Sequence, residues 1–210
     1  MTTRVYLEVG AKRVFAATVD WPGWCRSGRS EEAALEELAA YAPRYADVAT
    51  AAGVAPPSGD GFTIVERVKG DGTTDFGAPG RVPALDAEPL EAAAARRLAD
   101  LVAAAWTLFD RIAADSPAEM RKGPRGGGRD RDKMIEHVLG AEASYARQLG
   151  VKHKQPAPGD RAAITALREA ILAALVGPPE NPRWPVPYAA RRIAWHVLDH
   201  AWEMQDKAIR

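Results

Sequence analysis

The chain has 210 residues, 47% of them hydrophobic, and its 28 lysines and arginines balance its 28 aspartates and glutamates. This balance argues against binding to nucleic acid or an anionic membrane through overall charge. No segment reaches the roughly 18 apolar residues of a membrane span, and no signal peptide is recognisable. The single Cys25 excludes an internal disulfide. We therefore expect a soluble cytoplasmic protein without nucleic-acid or membrane partners.

The first part of the chain has the pattern of a small α+β module. Val5, Leu7 and Val9 alternate with polar residues and lead into a glycine turn, which predicts a β-hairpin. Ser30 precedes two glutamates and a run of apolar residues, as at the start of a capped helix. A third strand and a linker rich in glycine and proline follow. The predicted hairpin spans 5–19 and the predicted helix 30–41. The third strand covers 62–68, and the linker covers 70–83.

The remainder of the chain is predicted to be helical, because its apolar residues recur every three or four positions. The first of four helices covers about 89–114, and the second and third end at Gly150 and Gly177. Pro185 and Pro187 mark the start of the fourth. Four helices with one apolar face each bury those faces best against one another. We expect an α+β chain with a small module in 1–83 and an antiparallel four-helix bundle in 84–210.

Three of the four histidines occupy positions that should face the interior of this bundle. His196 and His200 are four residues apart and therefore share one face of the fourth helix. His137 lies on the inward side of the second helix, whereas His153 falls in a loop. Three neutral imidazoles can bind a divalent metal and leave a position open for water or substrate. The alternative is a set of hydrogen-bonded core histidines.

The motifs around these histidines resemble those of the DinB-like superfamily, which includes mycothiol-dependent maleylpyruvate isomerases and related thiol S-transferases. The matching segments are DKMIEHV at 132–138 and RIAWHVLDH at 192–200. The resemblance covers about 88–208 and implies a four-helix bundle that binds zinc or nickel, with iron as an alternative. His137, His196 and His200 match the metal ligands. Some relatives carry Glu at the position of His196, so the likeness extends further to the metal site than to the isomerase reaction.

The first 68 residues resemble a HicB-type module. Members of that family carry a hairpin, a D-x-P-G-C turn and an S-x-E-E-A helix start, which match Asp20–Cys25 and Ser30–Ala33 here. The inserted Trp24 departs from the pattern. The resemblance implies the fold of the module, and we do not extend it to DNA binding.

A basic segment leads directly into the second helix. Residues 121–133 contain six basic and two acidic side chains among several glycines. Because a guanidinium binds a carboxylate through two hydrogen bonds, Arg121, Arg125 or Arg129 is a candidate to hold a carboxylate of a substrate or thiol cofactor near the metal. The alternative is a solvated loop.

Four further residues near the histidines are candidates for supporting roles. Glu142 and Tyr145 on the second helix are candidates for proton transfer or for lining the pocket. Asp199 and Glu203 flank the histidines of the fourth helix and are placed to orient an imidazole N–H. The tryptophans of this region are expected to be core residues; they are Trp184, Trp195 and Trp202.

Two functions of different classes follow. In the first, the protein is a metal-dependent thiol S-transferase or isomerase that activates a low-molecular-weight thiol for attack on a small electrophile. The thiol must be external because Cys25 is remote in sequence from the histidines. In the second, the chain is a non-catalytic module that senses metal or ligand and acts through its HicB-like part. In either case a homodimer is expected.

Overall fold

The computed structural model describes residues 2–123, 127–178, 180 and 182–208. Within these residues the protein is a mixed α+β structure with four strands and seven α-helices. The strands are β1 (Thr3–Val9), β2 (Val14–Thr18), β3 (Cys25–Gly28) and β4 (Phe62–Lys69). The helices are α1 (Glu31–Ala40), α2 (Ala42–Ala51), α3 (Gly72–Phe76), α4 (Ala92–Asp115), α5 (Arg131–Gln148), α6 (Arg161–Val176) and α7 (Val186–Ala208). A short 3-10 helix covers Ala84–Ala87.

The strands form one sheet in the order β3-β2-β1-β4. The predicted hairpin is confirmed, since β1 and β2 pair antiparallel with Val9 opposite Val14. The predicted third strand is confirmed as β4, which pairs in parallel with β1. A parallel neighbour requires a long crossover, and α1 and α2 provide it. Strand β3 was not predicted, because its four residues are too few to show an alternating pattern.

Strand β1 is buried on both faces, although its sequence suggested one solvent-exposed face. Tyr6 and Glu8, which alternate with Val5, Leu7 and Val9, are both inaccessible to solvent. The Glu8 carboxylate accepts hydrogen bonds from the Thr74 hydroxyl and from the backbone N–H groups of Gly80 and Arg81. The segment predicted as a linker therefore contains α3 and covers this face of the sheet. Buried carboxylates need such donors, because an unpaired one is costly.

The other face of the sheet packs on α1 and α2. Trp24 is fully buried there, stacks on Tyr45 at 5.6 Å between ring centroids, and donates its indole N–H to the Leu38 carbonyl at 2.8 Å. Tyr45 in turn donates its hydroxyl to the Pro22 carbonyl at 2.9 Å. The residue that departs from the HicB-type turn pattern is thus the largest side chain in this part of the core.

The four long helices predicted for the second part of the chain are confirmed as α4 to α7. Helix α4 packs most extensively against α7 and also against α6, and α5 packs against α6 and α7. Among the residues that the structure describes, no helix has both the length and the apolar character that a membrane crossing demands.

Helix α7 also contacts the sheet, so that both parts of the chain contribute to one hydrophobic cluster. The ring of Trp195 packs edge-on against Phe15 at 6.0 Å. The turn before β3 approaches the backbone of α7 at Gly23, whose φ is +91°. A Cβ atom at Gly23 would lie 2.5 Å from Leu198 Cδ1 and 3.1 Å from the Ala194 carbonyl carbon.

We expect Gly23→Ala to lower the free energy of unfolding by about 2–4 kcal/mol, because it combines an unfavourable φ with a clash against α7. Gly53→Ala is the matched control: its φ is +69°, but no atom lies within 4 Å of the added Cβ. The control should lower the free energy of unfolding by only about 1 kcal/mol. Urea denaturation of both variants measures the difference, and equal losses would show that the contact with α7 does not constrain the turn.

Candidate metal centre

Three histidines from two helices converge on one point. His137 projects from α5, and His196 and His200 project from successive turns of α7. One ring nitrogen from each lies within 4.8 Å of the other two. The Nε2 atoms of His137 and His196 are 3.2 Å apart. Helix periodicity explains the pair on α7, and the packing of α5 against α7 brings in the third ring.

The position of Glu203 determines which nitrogen of His200 is free. Nδ1 of His200 lies 2.9 Å from Oε2 of Glu203, one turn further along α7. Hydrogen bonds from His200 and Lys207 lower the pKa of Glu203 to about 2, His200 contributing most and burial opposing. The ionised carboxylate only accepts, so Nδ1 carries a proton, and in the neutral imidazole Nε2 then presents its lone pair. A carboxylate behind a histidine is the usual arrangement around a metal ligand.

The surroundings of His137 and His196 favour the neutral form that binds metals. Burial, followed by the charges of His200 and His137, lowers the pKa of His196 well below its ordinary value. Burial is also the main cause of the lowered pKa of His137, which is half-buried and faces solvent on one side. Nδ1 of His196 is buried without a hydrogen-bond partner among the described residues. The ring of His196 is therefore positioned by packing.

These distances fit a single divalent ion. Ligand nitrogens about 2.0–2.1 Å from a tetrahedral zinc lie about 3.3 Å from one another, close to the 3.2 Å between His137 and His196. The widest nitrogen separation in the group, within 4.8 Å, requires only a small movement of the rings. Without a cation or a shared proton, two Nε2 lone pairs at this distance would repel each other. The donor set of three imidazoles suits zinc, nickel or iron(II).

Tyr145 forms part of the wall beside the histidines. Its ring lies 5.7 Å from that of His196 and 5.3 Å from that of Trp184 between centroids. Burial raises the pKa of its hydroxyl, with the nearby Arg192 opposing. Tyr145 therefore stays protonated near neutral pH and offers a hydrogen-bond donor. The structure places this predicted residue beside the histidines.

Glu142 has a partner elsewhere in the helical part. It is almost completely buried, and both of its carboxylate oxygens lie 3.2 Å from the guanidinium of Arg168 on α6. Arg168 also donates to Asp110 on α4 at 2.7 Å. Burial raises the pKa of Glu142, and the charge of Arg168 opposes that shift. The predicted proton-transfer residue thus links α5 to α6 in a buried ion pair, which the sequence did not reveal because its partner is 26 residues away.

The three candidate arginines have different surroundings. Arg121 donates to the backbone carbonyl of Asp206 at 3.0 Å and so attaches its loop to the end of α7. Arg125 lies outside the described residues. Arg129 is exposed and lies beside His137, on the side of the metal centre that faces solvent. Of the two arginines that the structure describes, Arg129 is the one next to the histidines.

Two residues near the site, Gly140 and Gln155, were not identified from the sequence. Gln155, from the loop after α5, donates to the Glu136 carbonyl at 3.3 Å and lies against Gly140. A Cβ atom at Gly140 would lie 3.1 Å from Oε1 of Gln155. A glycine three residues after His137, on the same helix face, was the available signal for this close approach.

No protein-family model, curated protein or solved structure matches the chain. The resemblance to DinB-like and HicB-type proteins therefore stays a prediction that rests on the quoted motifs. The candidate metal centre rests on the geometry of its three histidines.

We expect Arg168→Met to lower the free energy of unfolding by about 3–5 kcal/mol, because it leaves the Glu142 carboxylate buried and unpaired. Adding Glu142→Gln should recover a large part of this loss, since it removes the orphaned charge. Thermal or urea denaturation of the single and double variants gives the interaction free energy between Arg168 and Glu142. If the double variant were as unstable as the sum of the singles, the ion pair would not be the role of Glu142.

We expect Glu203→Ala to weaken metal binding about 10–100-fold, because Nδ1 of His200 loses the acceptor that holds its ring. Glu169→Ala on the exposed face of α6 removes the same charge away from the histidines and serves as the control. Competition with a chromogenic chelator measures both affinities. Equal affinities in the two variants would mean that Glu203 does not position His200.

Proposed function

We propose that this protein binds one divalent metal ion through His137, His196 and His200 and uses it to activate a low-molecular-weight thiol for transfer to a small electrophile. The observation that carries the proposal is the convergence of three imidazole nitrogens from α5 and α7 within 4.8 Å, with Glu203 behind His200. Three protein ligands leave room for an exogenous one, as in catalytic rather than structural zinc sites.

A bound divalent ion would supply the positive charge that lowers the pKa of a coordinated thiol towards neutrality. The residues of the chain position the histidines around the ion. Glu203 holds the proton of His200 on Nδ1, so that Nε2 faces the centre. Tyr145 packs edge-on against the ring of His196 and helps to position it. The half-buried His137 marks the open side through which ligands enter.

The chain's own thiol is unsuited to act as the nucleophile. Cys25 lies at the start of β3, is 4% exposed, and packs in a cluster with Tyr6, Phe15 and Trp195. Burial raises its pKa far above neutrality, and the charge of Glu8 adds to that shift. A buried neutral thiol is inert towards electrophiles. The proposal therefore requires an external thiol, and the motif resemblance points to a mycothiol-type compound.

The fold is consistent with the two resemblances. Helices α4 to α7 pack against one another around the histidines, and we propose that they form the antiparallel bundle of the DinB-like superfamily. We propose that a HicB-type module is formed by the hairpin, the crossover helices and the parallel strand β4. These assignments are supported by the order of the elements and by the quoted motifs.

A second function is favoured by one contact. Asp199, between the two histidines of α7, pairs with Arg26 of β3 at 2.9 Å. A salt bridge thus connects α7, which carries two of the histidines, to the sheet. If α7 moved on metal binding, this salt bridge would transmit the movement to the sheet. This supports a metal- or ligand-sensing module. A metal-loaded protein that consumes no thiol with standard electrophiles would favour sensing over catalysis.

We expect the purified protein to contain about one equivalent of zinc, nickel or iron by elemental analysis, and the His196→Ala, His200→Ala variant to contain none. His153→Ala is the control, because His153 lies in the loop after α5, away from the three histidines, and its ring nitrogen bonds to the neighbouring Lys154 carbonyl. Absence of metal from the wild-type protein after reloading, or its retention in the double variant, would contradict the proposed site.

A further inference from the structure

The open side of the metal centre is a cleft of about 660 Å³ that includes His137. Its floor is the face of α5 that carries Lys133, His137 and Gly140. The loop at Gly128–Asp130 forms one wall, and Gln155 also lines the cleft. Gly140 allows Gln155 to lie directly on the helix, which keeps Gln155 close to His137. The volume is that of a site for a small molecule.

Most charges around the cleft are already paired. Lys133 binds Glu136 at 2.8 Å, and Lys122 binds Asp130 at 2.5 Å. Asp130 also accepts the backbone N–H of Met120. These pairs cancel, which leaves the cleft with the charge of Arg129. Among the described residues, no acceptor lies within hydrogen-bonding or ion-pairing distance of the Arg129 guanidinium.

Arg129 is near enough to the histidines to influence them. Burial and His200 are the main causes of the lowered pKa of His137, and the charge of Arg129 adds to that shift. Its charge also contributes to the lowered pKa of His196, after burial and the other histidines. With a divalent cation at three neutral imidazoles, the opening of the centre carries a positive charge on both sides. Such an opening attracts an anion.

We propose that Arg129 binds a carboxylate of the ligand that reaches the metal, so that the preferred substrates of this cleft are small carboxylates. A guanidinium binds a carboxylate through two parallel hydrogen bonds, which fixes orientation as well as position. This inference rests on the proposed function and adds to it the class of substrate. The carboxylate belongs either to the thiol or to the electrophile, and the same arginine serves in both cases.

The test uses the full chain loaded with cobalt(II), whose thiolate charge-transfer absorption reports thiol binding directly. Mercaptopropionate and mercaptoethanol present the same thiol with and without a carboxylate. The wild-type protein should bind mercaptopropionate about tenfold more tightly, and Arg129→Gln should remove this preference. Arg129→Lys keeps the positive charge but loses the two parallel N–H donors. This variant should retain part of the preference for mercaptopropionate. Arg96→Gln, on the exposed surface of α4, is the charge-matched control and should keep the preference intact.

A second arm locates the carboxylate. Calorimetric titration with propionate is done on metal-free protein, on cobalt protein and on cobalt protein saturated with mercaptoethanol. Propionate binding that persists beside mercaptoethanol and is lost in Arg129→Gln assigns the carboxylate to the electrophile, whereas a preference limited to mercaptopropionate assigns it to the thiol. Either result supports the inference.

The inference is overturned if Arg129→Gln binds both thiols and propionate as the wild-type protein does. The proposed function fails in a different way, through absence of cobalt uptake or of the thiolate absorption. In that event the propionate titration of the metal-free protein still decides whether Arg129 binds carboxylates.

Discussion

The burial of α7 against two different neighbours is the constraint on which the rest of the structure depends. One side of this helix presents His196 and His200 to α5, and another side carries Ala194, Trp195 and Leu198 against the sheet and its turns. A helix that is covered on nearly all sides has little freedom to rotate or slide, because interiors pack densely. The relative positions of the three histidines are therefore determined partly by the sheet, which contributes no histidine to the candidate metal centre.

The partners of the buried carboxylates distinguish structural from functional roles. Asp86 is paired with Arg191 at the junction of α7 and the 3-10 helix, and Glu142 is paired with Arg168 between α5 and α6. These acids are committed to opposite charges, as buried ions must be. Glu203 differs, because it accepts from His200 as well as from Lys207 and so acts on the metal centre. Carboxylate side chains thus have different roles because of the groups they meet.

The cleft beside His137 combines this electrostatic pattern with access from solvent. His196 and His200 are covered by packing, whereas His137 remains half-exposed at the floor of the cleft. Arg129 and His137 line the same cleft. If Arg129 binds a carboxylate as proposed, the protein selects anionic molecules without an overall charge, since the lysines and acids nearby cancel in pairs. Selectivity of this kind depends on a single unpaired side chain close to the centre.

The elements that could be predicted from the sequence are those whose signal is local. The alternation at Val5, Leu7 and Val9 predicts a strand, and the spacing of His196 and His200 places both on one face of a helix, because these patterns depend only on backbone periodicity. What the tertiary structure alone decided is which groups meet across the chain. Glu8 is buried beneath a segment that reads as a linker, Glu142 pairs with Arg168 instead of facing the histidines, and Arg129 rather than Arg121 lies beside His137. These outcomes depend on contacts between residues far apart in sequence, and no local periodicity encodes them.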